Sequence, residues 1–240
     1  MAHEHVSETQ VTRFSVLHRL LHWPVMIGFI GLGLSGFSLY FSDQWWARGL
    51  TWLVGGGAHL AWWHRFFAVI TYFSVLSHLG WVVYYRLVLK QPLTGSESML
   101  PRAEDFTEFW QHIKYLFAKG DKPKFGKFTY WEKVDYFAVV VGMNTMGLTG
   151  LVLWFPEWFT GFLPGWVVNA ALVLHLYEAI IAVALKFVVH IYTAHFRPPV
   201  FPMEHSIFSG KVPLEELKHE RPAQWEALTS PQGEEDSAQA

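Results

Sequence analysis

His175 and His190 stand fifteen residues apart in an otherwise almost wholly apolar run, ALVLHLYEAIIAVALKFVVHIY, and His64 and His78 stand fourteen apart in HRFFAVITYFSVLSH. On an α-helix those separations rise about 21–22 Å and return the second side chain to within about 60° of the first. Each helix would hold one imidazole near each edge of a hydrocarbon layer about 30 Å thick. Two such helices facing each other would clamp two flat metal macrocycles stacked across a membrane, because neutral imidazole is an axial ligand of haem iron. A lone intramembrane His commonly makes a helix–helix hydrogen bond. Four of them, at paired depth on two spans, point to haem.

The elements that must position these rings are membrane spans. Apolar residues make up 52% of the 240 and charged residues only 16%, with a mean hydropathy of +0.20. Thirteen Trp and 18% aromatic residues suit a chain with two interfacial belts. The net charge of −2 gives no electrostatic footprint for nucleic acid. The absence of cysteine excludes disulfides, iron–sulfur ligation and covalent haem attachment through CxxCH. Four stretches have the apolar length to cross, at about 24–42, 60–85, 134–155 and 166–194. The lead before the first carries Glu4 and Glu8 and no A-x-A site follows, so it reads as a retained span and not a cleaved signal. The expected fold is an all-α membrane protein, a four-helix bundle with two haems b between helices. Residues 1–195 form the transmembrane domain and 196–240 a cytoplasmic tail, whose last stretch, SPQGEEDSAQA, reads as disordered.

Charge sets the orientation. Between spans two and three lie Arg86, Lys90, Arg102, Lys114, Lys119, Lys122, Lys124, Lys127 and Lys133, whereas the first connection has only Arg48 and the third none. The positive-inside rule puts the long connection and both termini in the cytoplasm. His64 and His175 then fall on the outer side, and His78, His190 and His22 on the inner side. Within the long connection, DFTEFWQHIKYLFAKG at 105–120 reads as an amphipathic helix in the inner interface. KPKFGKF reads as a basic turn against lipid headgroups.

These pieces resemble the cytochrome b subunits that anchor respiratory formate dehydrogenases and uptake nickel–iron hydrogenases, and related di-haem cytochromes b paired with multihaem c-type cytochromes. The matching segments are HRLLHW at 18–23, HRFFAV at 64–69, GKFTYWEK at 126–133, MGLTGLVLWF at 146–155 and HLYEAIIAVALKFVVHIY at 175–192. The resemblance covers about residues 12–227. It implies that His64 and His175 hold the outer haem and that His22 and His190 hold the inner one. Spacing alone would pair His78 with His190; under the resemblance His78 is left for the quinone pocket or a haem propionate. Thr129, Glu132 and Asp135 are candidates for a quinone and proton site, because GKFTYWEK matches the quinone-side segment of those relatives. It departs from them in carrying Thr and Glu in place of amides.

Remaining charged and small residues divide between packing and cofactor. Glu178 and Lys186 lie inside span four, where a charge is costly unless paired or hydrated. Lys186 is one turn before His190 and within reach of an inner propionate; Arg65, beside His64, is placed for an outer one. Glycines at 31, 33 and 36 and at 142, 147 and 150 permit close helix approach or make room for a porphyrin face. His18 reads as an interfacial polar residue or a propionate partner; His59, His112, His195, His205 and His219 are given no metal. The function expected is a transmembrane electron-transfer subunit of a bacterial inner-membrane respiratory complex. It would link a periplasmic iron–sulfur, molybdenum, nickel–iron or multihaem partner to the quinone pool, menaquinone or ubiquinone. The alternative is a stand-alone transmembrane haem reductase fed by a cytoplasmic donor, against which the short outer loops argue.

Overall fold

The computed structural model describes residues 9–198 and 200–230. Glu4, Glu8 and the last ten residues of the tail lie outside them. Four helices are long and apolar enough to cross a membrane: α1 (Val16–Tyr40), α3 (Gly57–Leu87), α5 (Tyr130–Trp154) and the run 166–196 that begins as α7 (Trp166–Ala184). Short helices α2 (Trp45–Leu53) and α6 (Pro156–Thr160) fill the two brief connections, and α4 (Ala103–Leu116) lies in the long one. The tail carries α8 (Ser206–Ser209), α9 (Leu214–Glu220) and α10 (Pro222–Thr229).

The chain forms two compact units. One, Val16–Leu89 with Val140–Glu204, contains the histidine-bearing spans. Here α1 and α3 pack along their lengths. Their seam is made of small residues, with Ser35, Ser38, Thr71 and Ser74 all buried. A Cβ at Gly28 would collide with Thr71, and one at Gly31 with the Phe67 ring. Small residues are what allow two helices to approach where lipid supplies no hydrophobic drive. The outward faces carry Leu34, Phe73, Leu148 and Val188, all more than half exposed, as hydrocarbon-facing positions require.

Two features of these spans depart from the expected ones. Helix α1 starts at Val16, eight residues before the expected edge, and runs through Pro24. Proline removes one intrahelical hydrogen bond, which membrane helices tolerate when neighbours satisfy the freed carbonyl. His18 and His22 therefore sit on the helix itself, one turn apart. The end of span four is also not α-helical: Leu185–His190 and Tyr192–Phe196 are π-helical. The wider i→i+5 turn changes the angular phase, so a 3.6-residue period does not set where His190 points.

The second unit gathers residues up to Ser15, Lys90–Val139 and the tail from His205. Strand β1 (Gln10–Thr12) pairs antiparallel with β2 (Lys211–Pro213), Val11 opposite Val212, in an otherwise helical chain. Phe125, Pro123 and Leu217 are fully buried here. Helix α4 turns Phe109 and His112 toward Tyr130, and His112 also faces Phe125 and Trp131. Phe106, Trp110 and Phe117 remain exposed. Burial, with Lys122 nearby, holds the His112 imidazole below the usual histidine pKa. The tail thus does not form a unit of its own: the strand pair joins it to the N-terminal residues, and the Ala223 amide, donating to the Phe125 carbonyl at 3.2 Å, joins it to the long connection.

Candidate functional site

His64 on α3 and His175 on α7 face each other with ring centres 6.3 Å apart and planes inclined by 67°. An iron held between two imidazole nitrogens at about 2 Å, each ring centre about 1 Å behind its nitrogen, puts the centres about 6 Å apart. The pair therefore fits axial ligation of one iron.

The Nδ1 nitrogens are held as well. Ser35 Oγ on α1 lies 3.0 Å from His64 Nδ1, and the Ser35 hydroxyl donates its proton to the Gly31 carbonyl at 2.6 Å. Thr149 Oγ1 on α5 lies 2.9 Å from His175 Nδ1, and that hydroxyl donates to the Thr145 carbonyl at 2.7 Å. Each hydroxyl is followed by a glycine against the ring. A Cβ at Gly36 would stand 3.0 Å from His64 Cε1, and one at Gly150 3.3 Å from His175 Cε1. Arg65 lies with its guanidinium 5.5 Å from the centre of the ring of Trp154, the last residue of α5.

His22 of α1 lies within electrostatic reach of His190, Lys186 and His195. His78 lies within reach of His18. Glu178 packs against Gly142 of α5, where a Cβ would press on its carboxylate, and a Cβ at Gly147 would collide with Tyr72. Among the described residues no three or more His, Cys, Asp or Glu side chains are placed to hold a metal ion by themselves. Ligation by paired imidazoles leaves the other metal bonds to a macrocycle.

The GKFTYWEK segment is built differently from the histidine pairs. Glu132 Oε1 accepts from Arg13 Nη2 and Arg221 Nη2, both at 2.9 Å. Its Oε2 accepts from Arg221 Nη1 at 3.0 Å and from the Thr129 amide and hydroxyl at 2.8 Å. Thr129 and Glu132 thus form a capping box at the start of α5, fastened to the β1 side by Arg13 and to the tail by Arg221. Next to it, Lys133 donates to Asp105 at 2.6 Å, and Asp105 also accepts from the Arg102 amide. Asp135 is half-buried in the following turn.

Ser35 and Thr149 were not among the candidate site residues. The signal for them is a tetrapeptide that occurs in spans one and three, GLSG at 33–36 and GLTG at 147–150. Four residues are too few to separate a repeat from ordinary glycine-rich packing until both hydroxyls are seen on imidazoles.

A four-span bundle that presents paired imidazoles inside the bilayer defines a membrane cytochrome of the b type. The chain belongs to the prokaryotic cytochrome b561 family, whose model matches residues 13–208. It is similar to the cytochrome b556(Fdn) subunit of the nitrate-inducible formate dehydrogenase of Escherichia coli K12, at 24% identity over 187 residues and 77% of each chain. The same subunit of E. coli O157:H7 and of Shigella flexneri matches at the same identity and coverage. The chain is therefore a multi-pass bacterial membrane protein, a cytochrome b subunit with b-type haem, related to the membrane cytochrome of a formate dehydrogenase.

Proposed function

We propose that this chain carries electrons across the inner membrane between a periplasmic redox partner and the quinone pool, with two haems b as its cofactors. The observation that carries the reading is the facing of His64 and His175 at iron-spanning distance, with each Nδ1 already engaged. Bound haem supplies a one-electron carrier with a potential tuned by its surroundings. The residues do the rest. His64 and His175 ligate at the outer side, with Arg65 near an outer propionate. The proximity of His22 to His190 and Lys186 favours His22 over His78 as the second inner ligand. Lys186 serves an inner propionate. His78, beside His18, is left to hold a quinone or its proton. Both oxygens of Glu132 are committed to arginines and Thr129, which supports an architectural role for that segment.

The partner has the chemistry of the relatives' complexes: a periplasmic iron–sulfur, molybdenum or nickel–iron module, or a multihaem cytochrome c. Both termini and the basic long connection belong on the cytoplasmic side.

Haem counting tests the reading. The purified protein should yield two extractable haems per chain by pyridine haemochrome. His64→Ala or His175→Ala should leave one, as should His22→Ala. His78→Ala should keep two and impair quinone reduction. Loss of a haem in His78→Ala with both retained in His22→Ala would refute the inner assignment.

A further inference from the structure

We infer that Ser35 and Thr149 are a matched pair of positioning residues that fix the tautomers of His64 and His175 and lower the reduction potential of the outer haem. The inference rests on the reading that those two histidines are its ligands.

The argument is one of proton placement. A hydroxyl has one proton to give. Ser35 gives its proton to the Gly31 carbonyl and Thr149 to the Thr145 carbonyl, the residue four back in each helix. What each oxygen offers the imidazole is therefore a lone pair. The contacts of 3.0 Å and 2.9 Å can only be hydrogen bonds if Nδ1 carries the ring proton. Both rings are thereby set in the tautomer that leaves Nε2 bare, and a bare Nε2 is what iron needs. The Leu32 and Met146 carbonyls face the same two rings, again as acceptors. With the hydroxyl protons placed the other way, Nδ1 would accept and Nε2 would hold the proton, and neither ring could ligate.

The two halves match element for element. In each, an odd-numbered long helix earlier in the chain (α1 or α5) supplies G-L-[Ser/Thr]-G. Its hydroxyl reaches the His of the next long span (α3 or α7), and its last glycine lies against the ring's Cε1 edge. Ser35 is 3% exposed and Thr149 8%, so water does not compete for either contact. A hydroxyl polarised by its own donation is also a better acceptor.

A hydrogen bond from Nδ1–H raises the basicity of Nε2 and so its donation to the metal. Stronger donation favours the ferric over the ferrous state. Deleting the acceptor should therefore raise the potential. Second-sphere changes of this kind alter metal affinity or activity by about 10–100-fold, and the low end of that range sets the upper scale expected here. A tenfold change in the ratio of reduced to oxidised haem is about 59 mV for a one-electron couple.

Optical redox titration of the full-length protein, loaded with haem, tests this without reference to turnover. Ser35→Ala and Thr149→Ala should keep both haems and raise the outer haem's reduced-to-oxidised ratio at fixed potential, by up to about tenfold. The double variant should move it further. Ser35→Thr and Thr149→Ser should titrate as the parent does. Ser35→Cys, with a weaker acceptor, should fall between Ser and Ala, and it keeps the test open should an alanine variant fail to fold. Alanine and cysteine variants that hold two haems and titrate like the parent would overturn the inference while leaving the ligand assignment intact. Two haems retained in His64→Ala would overturn both.

Discussion

Whether a membrane histidine is a ligand or a helix–helix tether is decided at its second nitrogen. His64 and His175 each have Nδ1 against a buried hydroxyl oxygen and face one another across 6.3 Å. The 67° between their planes has a spectroscopic consequence. Parallel imidazoles split the two iron dπ orbitals strongly; steeply inclined ones leave them nearly degenerate. The oxidised outer haem should therefore give a highly anisotropic low-spin EPR signal, lost in His64→Ala. A rhombic signal with closely spaced g values would show that the rings lie nearly parallel in the loaded protein. The histidines themselves were legible in the sequence, because charged and metal-ligating side chains are rare in apolar runs and their spacing matches a bilayer. The hydroxyls were not. Ser and Thr commonly bond their own helix backbone inside spans, and only the fold shows which of them also meet a ring.

At the scale of elements, the four spans were readable from apolar length, and their ends were not. Pro24 marks a boundary in most sequences, yet α1 passes through it. The π-helical turns before His190 leave no trace in the residue pattern, and they alter which face that ring occupies. The attachment of the tail was not readable either. That depends on Arg221, 4% exposed, which grips the Glu132 carboxylate at both oxygens and also donates to the Lys127 carbonyl at 2.7 Å. Such long-range ion pairs join residues about ninety apart and have no local signature. Removing one partner of a buried pair costs about 3–5 kcal/mol. Glu132 would keep Arg13, which puts Arg221→Ala toward about 3 kcal/mol. We expect limited proteolysis to cut within residues 205–230 of Arg221→Ala much faster than in the parent, with the haem spectrum unchanged. Equal cleavage rates would mean that the strand pair and the backbone bond from Ala223 to Phe125 hold the tail without this ion pair.

For the molecule as a whole, the question is which side each end of the haem path faces. The Lys and Arg residues are concentrated between spans two and three, while the connections 43–56 and 155–165 carry one between them. In the topology proposed from the positive-inside rule, those two short connections face the periplasm. They belong to the same unit as His64 and His175 and closely precede those two residues in sequence. They display Trp45, Trp52 and Trp158, and Trp166 stands directly after the second of them, each at least 66% exposed. Interfacial tryptophan explains part of this display. Aromatic residues are also enriched where proteins dock, and the outer haem needs a donor or acceptor beside it. Because the chain has no cysteine, single cysteines report sidedness without background. Asp43→Cys and Glu157→Cys should react with a membrane-impermeant maleimide added to the periplasmic face of intact cells, and Gly120→Cys only after the membrane is opened. Photocross-linkers placed on the first two should capture the redox partner, and one at Gly120 should not. Labelling of Asp43→Cys or Glu157→Cys only from the cytoplasmic side would invert the topology, and with it the assignment of His64 and His175 to the outer haem.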